Sequence, residues 1–456
     1  MSDRRPGQWV LAGLGLLLLL AAVRLGTGTA VFLQTPGLVV DFVGDRLSAI
    51  PVALVGIVVI AGALGGAGVG AHRRDAVAVA GMVLGALVVT LAGAIIVAAI
   101  ALQVVVVSVL VTGGLGTRWR FVGLLGVEGG LAAFVAGSLL WFGPIGPSSE
   151  PTTLEACLLA AGAIAAAAGG GLLAGFGGRT AAGALATAIL PALPAYMLVR
   201  VLSPFAAAPL ALESIAVGAS IIVAAGGLLA RRSASVAGAL GATGMAHGAM
   251  ATGLLVAGLL LNQAQAGSSA APVLAAVMGL VLTQGLARAA VHLGGLDLDS
   301  PFWLRLASLG GICGLPPAGT LAALVAAIAA MLTVAASGGL QTGAPMVASL
   351  ALTAVGLGAL IDRWGSLLRP QAGAAPRDPA ESGARAGVIT LVAVNGVVGI
   401  IPGLVWMVIP SGGRGMLDLT TTVGTFQPLV MYVFGLVIVG ILVGLSGGRA
   451  SAPTSG

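Results

Sequence analysis

The chain has 456 residues, of which 58% are hydrophobic and 7% charged, with a mean hydropathy of +1.12. That composition excludes an ordinary soluble domain, whose surface needs far more charge, and marks a multi-span membrane protein. The formal net charge of +6 is carried by arginine without any lysine; it reports topology and contact with anionic lipid, and we read no nucleic-acid partner from it.

Crossing the hydrocarbon takes about 20 mostly apolar residues, and such runs recur from end to end. The first, residues 8 to 26 behind MSDRRPG, has the basic start and apolar core of a signal peptide. Its length and the spans behind it favour an uncleaved first helix. Spans follow at 47 to 70, 76 to 93, 95 to 114, 121 to 142, 154 to 177, 182 to 203, 209 to 230, 235 to 261 and 271 to 294. Residues 303 to 337 cross once as a helix broken in the middle, and 344 to 361, 387 to 409 and 426 to 446 complete fourteen. With the N-terminus inside, fifteen arginines fall in cytoplasmic segments and four (Arg24, Arg46, Arg200, Arg414) opposite. That bias is the positive-inside pattern and puts both termini in the cytoplasm of a prokaryotic cell membrane.

The reading is all-α: one transmembrane domain over residues 1 to 446 and a disordered tail over 447 to 456. The longest polar stretch, Arg363 to Gly387, is a Pro-, Ala- and Arg-rich loop without a core of its own. The 74 glycines let helices pack closely where lipid offers no hydrophobic drive. Cys157 and Cys313 sit in apolar spans as small buried hydrophobes, giving neither a disulfide nor a metal site. No metal or other cofactor is expected on this chain.

Few polar residues lie at span depth, and those that do usually face a bundle interior or a hydrated path. They are Gln103, Glu128, His247, Asn395 and the series Gln284, Arg288 and His292, spaced by four on one stripe of a helix. One reading of that stripe is a segment of a proton or ion path, with His292 able to titrate near neutral pH. The other is a fixed Arg288 charge neutralised by a carboxylate such as Glu128, beside hydrogen-bonded histidines of the core. Arginine does not release its proton in a protein, so Arg288 biases a path without relaying through it. In GICGLPPAGT, Pro316 and Pro317 end a helix, and Gly314 and Gly319 tolerate the turn. Irregular backbone at this depth marks a packed hinge or a site.

Several stretches, in order, resemble the antiporter-like membrane subunits of respiratory complex I, of multi-subunit sodium/proton antiporters and of hydrogenase-4-type complexes. They are DFVGDRLSAI, VAGMVLGALVVTLAGAI with VVVVSVLVTG, LLAGFGGR, AILPALPAYMLVRVL, LLARRSASVAGALGATGMAHGAMATGLL, LTQGLARAAVHLGG and GLPPAG, covering about residues 40 to 335. The resemblance implies fourteen helices with two inverted five-helix repeats, each containing a broken helix, joined by a hydrated polar axis. It also implies proton movement through lysines and a glutamate, coupled to redox partners.

This sequence departs where that chemistry would sit. Arg288 falls at the family's central lysine, Arg179 near an earlier one, and the lysine before Tyr196 is replaced around Ala192. The acidic position of the fourth span is matched by Gln103 or Leu102, with Glu128 one span later. The segment between Arg179 and Pro191 is shortened. The resulting expectation is a non-redox membrane subunit of a proton-translocating complex, with a degenerate path (Glu128, Arg179, His247, Gln284, Arg288, His292) and a scaffolding role among other membrane and redox subunits. The alternative is a self-sufficient secondary transporter for an ion or small anion. An intramembrane enzyme is disfavoured, because no nucleophile–base pair or HExxH is present.

Overall fold

The computed structural model describes residues 5–27, 31–34, 41–65, 73–113, 118–142, 152–175, 180–201, 209–264, 271–296, 300–315, 318–321, 324, 328, 332, 339–368 and 382–400. Arg179, Pro316, Pro317, the span expected at 426 to 446 and the tail fall outside them.

In chain order the helices are α1 Arg5–Gly26, α2 Arg46–Leu64, α3 Arg73–Leu91, α4 Ile95–Gly113, α5 Arg118–Phe142, α6 Thr153–Ala174, α7 Ala181–Ile189, α8 Leu193–Val201, α9 Pro209–Arg232, α10 Val236–Ala264, α11 Ala271–His292, α12 Phe302–Cys313, α13 Gly339–Gly365 and α14 Ser382–Ile400. Among the described residues, ten helices are long and apolar enough to cross a membrane, with α7 and α8 together making one of them. Shorter apolar helices stand at 276–292, 302–313 and 385–399, where three further spans are expected. The count of fourteen is not confirmed.

One regular element departs from the all-helical expectation. Val31–Gln34 pairs antiparallel with Asp41–Gly44, in the register Val31 with Gly44. The family-like DFVG lead to the second span is therefore extended, and helix α2 starts only after Asp45. Asp45 caps it by accepting from the Ser48 amide at 3.0 Å.

A second departure matters more. Residues 182 to 203 read as one continuous span, yet helix ends at Ile189 and resumes at Leu193. The cause is in the residues: Pro191 has no N–H for the Thr187 carbonyl, and Pro194 follows. The Ala192 amide turns back to Ile189, at 3.0 Å, and so leaves the Ala188 carbonyl free as well. Both half-helices are buried throughout the span, so the break sits in the middle of the bundle.

The break near residue 314 is present as expected. Helix α12 ends at Gly314, whose φ of +71° is left-handed and suits glycine. The Leu315 amide closes the end on the Gly310 carbonyl at 2.8 Å, and helical backbone resumes at 319–321. Gly319 is needed there for space, since a Cβ would stand 2.7 Å from Thr283 Cγ2.

Elsewhere the small residues act as close-packing surfaces. The α5/α6 crossing passes Gly130 against Gly162, where a Cβ on Gly162 would meet the Gly130 carbonyl at 2.6 Å. Buried residues of nearly every helix merge into one apolar core, in which α10 and the α7–α8 pair are the most enclosed spans.

Candidate functional site

The two breaks create unsatisfied backbone acceptors inside the protein, and the expected polar side chains answer them. An α-helix carbonyl accepts from the amide four residues on. For Thr187 that residue is Pro191 and for Ile312 it is Pro316, neither of which has an N–H. A buried carbonyl left without a donor costs about 1–3 kcal/mol, so another group has to supply one.

Arg288 of α11 supplies the first. Its Nε donates to the Thr187 carbonyl at 2.7 Å and its Nη2 to the Ala188 carbonyl at 3.1 Å. These are the open carbonyls at the C-terminal end of α7, where the helix dipole favours a cation. The residue is 2% exposed.

His247 of α10 supplies the second. Its Nε2 lies 3.1 Å from the Ile312 carbonyl, and its Nδ1 lies 3.0 Å from Arg288 Nη1. Guanidinium has donors only, so Nδ1 accepts and the proton sits on Nε2, which donates to Ile312. This is the neutral ring in a single tautomer. The result is a continuous chain from the Thr187 and Ala188 carbonyls through Arg288 and His247 to the Ile312 carbonyl. It ties the end of one broken helix to the end of the other.

Asn395 of α14 holds the far lip of the second break. Its Oδ1 accepts from the Gly319 amide at 3.0 Å, and its Nδ2 donates to the Thr283 carbonyl at 3.1 Å. Gln284, one turn before Arg288, is 1% exposed, and its Nε2 has no hydrogen-bond partner among the described residues. His292 is also buried, one turn beyond Arg288 and outside the Arg288–His247 pair.

The pairing of Arg288 with Glu128, one of the two readings of the stripe, does not occur. Glu128 of α5 instead accepts from Gln103 Nε2 of α4 at 2.6 Å, in a half-buried position. Helix α5 packs chiefly on α6, so its carboxylate is on a different flank from α11. Of the two histidines read either as path residues or as hydrogen-bonded core residues, His247 is the one that meets Arg288.

Sequence reasoning passed over a second polar cluster, at the end of the bundle where α2 begins and α8 ends. Arg200 Nη1 pairs with Asp45 Oδ2 at 2.7 Å, its Nε donates to Tyr196 Oη at 2.8 Å, and its Nη2 to Ser48 Oγ at 2.9 Å. Tyr196 Oη in turn donates to the Thr90 carbonyl at 2.8 Å. These contacts tie α8 to the start of α2 and the end of α3. The available signal was the Tyr196–Arg200 spacing of four on one helix face. Replacing Arg200 with Met is expected to cost about 1–3 kcal/mol, read as a lowered thermal midpoint in detergent; an unchanged midpoint would show that the cluster carries no net stability.

No protein-family model matches the sequence, and a search of curated proteins gives no match. Solved structures do match over nearly the whole chain. A chain of the Mrp complex from Dietzia sp. superposes with a TM-score of 0.67 at 16% identity, covering 94% of this chain and 95% of that one. A chain of respiratory complex I from Thermus thermophilus with bound NADH gives 0.67 at 18%, covering 92% and 94%. A chain of the membrane-bound sulfane sulfur reductase, an archaeal respiratory membrane complex, gives 0.69 at 16%, covering 98% and 82%. With its two interrupted helices facing each other across α10 and α11, the chain has the fold of the antiporter-like membrane subunits in these assemblies.

Proposed function

We propose that this chain is a membrane subunit of a proton-translocating redox complex, of the NADH:quinone oxidoreductase or hydrogenase-4 type, in which its own proton path is closed and its role is to scaffold and seal the membrane arm. The observation that supports a closed path is the Arg288–His247 pair strung between the two broken helices. A relay group must give up and regain a proton, and a guanidinium does neither. Both nitrogens of His247 are engaged, one as acceptor and one as donor, so the ring passes no proton without breaking the connection to a half-helix. Gln284, the neighbour on the stripe, is an amide that does not titrate. The whole-chain likeness to subunits of multi-subunit respiratory and Mrp assemblies supports the partnership.

The test is to isolate the chain by a C-terminal tag from native membranes in mild detergent and identify what accompanies it. A stoichiometric set of redox and membrane subunits is expected. Recovery of the chain alone, monodisperse and transporting an ion in liposomes, would replace this reading with a self-sufficient secondary transporter.

A further inference from the structure

Outside the central pair, and among the described residues, Arg305 and Arg363 carry buried guanidinium nitrogens without a hydrogen-bond partner. Arg305 lies in the first turns of α12 and has its Nε and Nη1 buried without a hydrogen-bond partner among the described residues. Its one contact of note is with the Phe302 ring, 5.8 Å from Cζ to centroid. Arg363, near the end of α13, has its Nε buried and without a hydrogen-bond partner among the described residues. The adjacent carboxylate, Asp362, is taken by Arg231 at 2.8 Å. Ser308, one turn beyond Arg305 and 1% exposed, turns its hydroxyl onto Gly295 and has no hydrogen-bond partner for it among the described residues.

These groups share a layer. The 3₁₀ turn Ser366–Leu368, which follows Arg363, packs on α12, as does α13 itself. Trp364 Nε1 donates to Thr243 Oγ1 at 3.0 Å. Thr243 lies one turn before His247, and Arg305 seven residues before Ile312, the partner of His247. At 1.5 Å per residue those offsets are about 6 and 10 Å toward the same end, so Arg305 and the contact made by Trp364, the residue after Arg363, differ by only about 4–5 Å in depth.

The start of α12 sharpens the need for an anion. Pro301 stands at its N-cap with no side-chain cap; the Leu304 amide turns back to the Pro301 carbonyl at 2.9 Å, so among the described residues the Phe302 and Trp303 amides are the ones left for an outside acceptor. A positive side chain in that turn opposes the helix dipole. An anion satisfies the amide end and the guanidinium donors together. Beside it, Phe302 and Trp303 are 47% and 55% exposed, as aromatic side chains are at the headgroup level of a bilayer.

We propose that Arg305 and Arg363, at the N-terminus of α12, form a binding site for the phosphodiester headgroup of an anionic membrane lipid, with Phe302 and Trp303 against its glycerol and upper acyl region. The forked donors of arginine match phosphate oxygens, and the arginine-rich end of a membrane protein is where anionic headgroups are attracted.

The test is native mass spectrometry of the full chain, with whatever subunits it carries, released from nanodiscs of phosphatidylglycerol or of phosphatidylcholine. The native protein is expected to retain one phosphatidylglycerol and no phosphatidylcholine, and R305Q/R363Q to lose that retention by about tenfold or more. Equal retention by both proteins would overturn the site. Displacement of the lipid by millimolar inorganic phosphate would overturn it in favour of a free-anion site. A cross-link from this layer to an acidic segment of a co-purifying subunit, with no lipid retained, would overturn it in favour of a protein interface. If the glutamine variant does not assemble, R305K/R363K replaces it. That variant keeps the charge but lacks the fork, and is expected to fall between the native protein and background; retention equal to the native protein would also count against the site.

Discussion

Arg288→Ala is expected to lower the stability of the chain by about 3 kcal/mol, measured by thermal or denaturant unfolding in detergent. It strands the Thr187 and Ala188 carbonyls and the Nδ1 of His247 where water does not replace the donor, at about 1–3 kcal/mol each. Against that, removing the guanidinium recovers roughly 2.5–3.5 kcal/mol, the insertion-scale cost of a charge at mid-bilayer. Three stranded acceptors outweigh one relieved charge, and the cavity left by the long side chain adds to the loss. An unchanged or raised midpoint would show that Arg288 is not what holds the first break. Arg288→Lys separates the structural from the transport role: an ammonium keeps the charge, loses the fork and regains a releasable proton. On a closed-path reading, the lysine variant in liposomes should show proton uptake above the native protein; equal uptake would count against closure by arginine.

His247→Leu is the second substitution with a large expected effect, a loss of about 2–4 kcal/mol. It leaves the Ile312 carbonyl without its donor and one guanidinium N–H without its acceptor, and hydrogen bonds to charged groups are the costlier ones to break. Because the two side chains share one hydrogen bond, their effects should not add. A double-mutant cycle over Arg288→Ala and His247→Leu is expected to give a coupling of about 1–2 kcal/mol. Additive effects would mean that the two breaks are held independently and that the chain between them carries no energy. The variant also reads out the tautomer argument: His247→Gln offers a carbonyl oxygen to Arg288 and an amide donor to Ile312, and should recover part of the lost stability.

What could be read from the residues was uneven, for physical reasons. Apolar runs of about 20 residues placed most of the helices, because in lipid each helix satisfies its own backbone. The break at Gly314 was visible because two prolines and two glycines crowd into GLPPAG. The break at Pro191 was equally encoded, by ILPALP, but its surroundings are so apolar that the run reads as one continuous span. Only the loss of the Thr187 and Ala188 hydrogen bonds reveals it. The Val31–Gln34 and Asp41–Gly44 pairing is a non-local register between two four-residue strands, too short to stand out against the neighbouring helices. Asp45, Tyr196 and Arg200 come from three separated segments, and nothing in their local sequence brings them together.

By itself the sequence determined the membrane-embedded, multi-helix character of the chain and the identity of the few polar residues at span depth. It also determined that the Thr187 and Ile312 carbonyls lack an i+4 donor, since Pro191 and Pro316 have no N–H, whereas the Ala188 carbonyl is freed only by the turn of Ala192 back to Ile189. Tertiary structure alone decided that Arg288 answers Thr187 and not Glu128, that Glu128 answers Gln103, and that His247 joins Arg288 to the second break. Helices form in lipid from local hydrogen bonds, whereas the choice of which faces meet rests on the close approach of small residues such as Gly130 on Gly162, information spread over the whole chain.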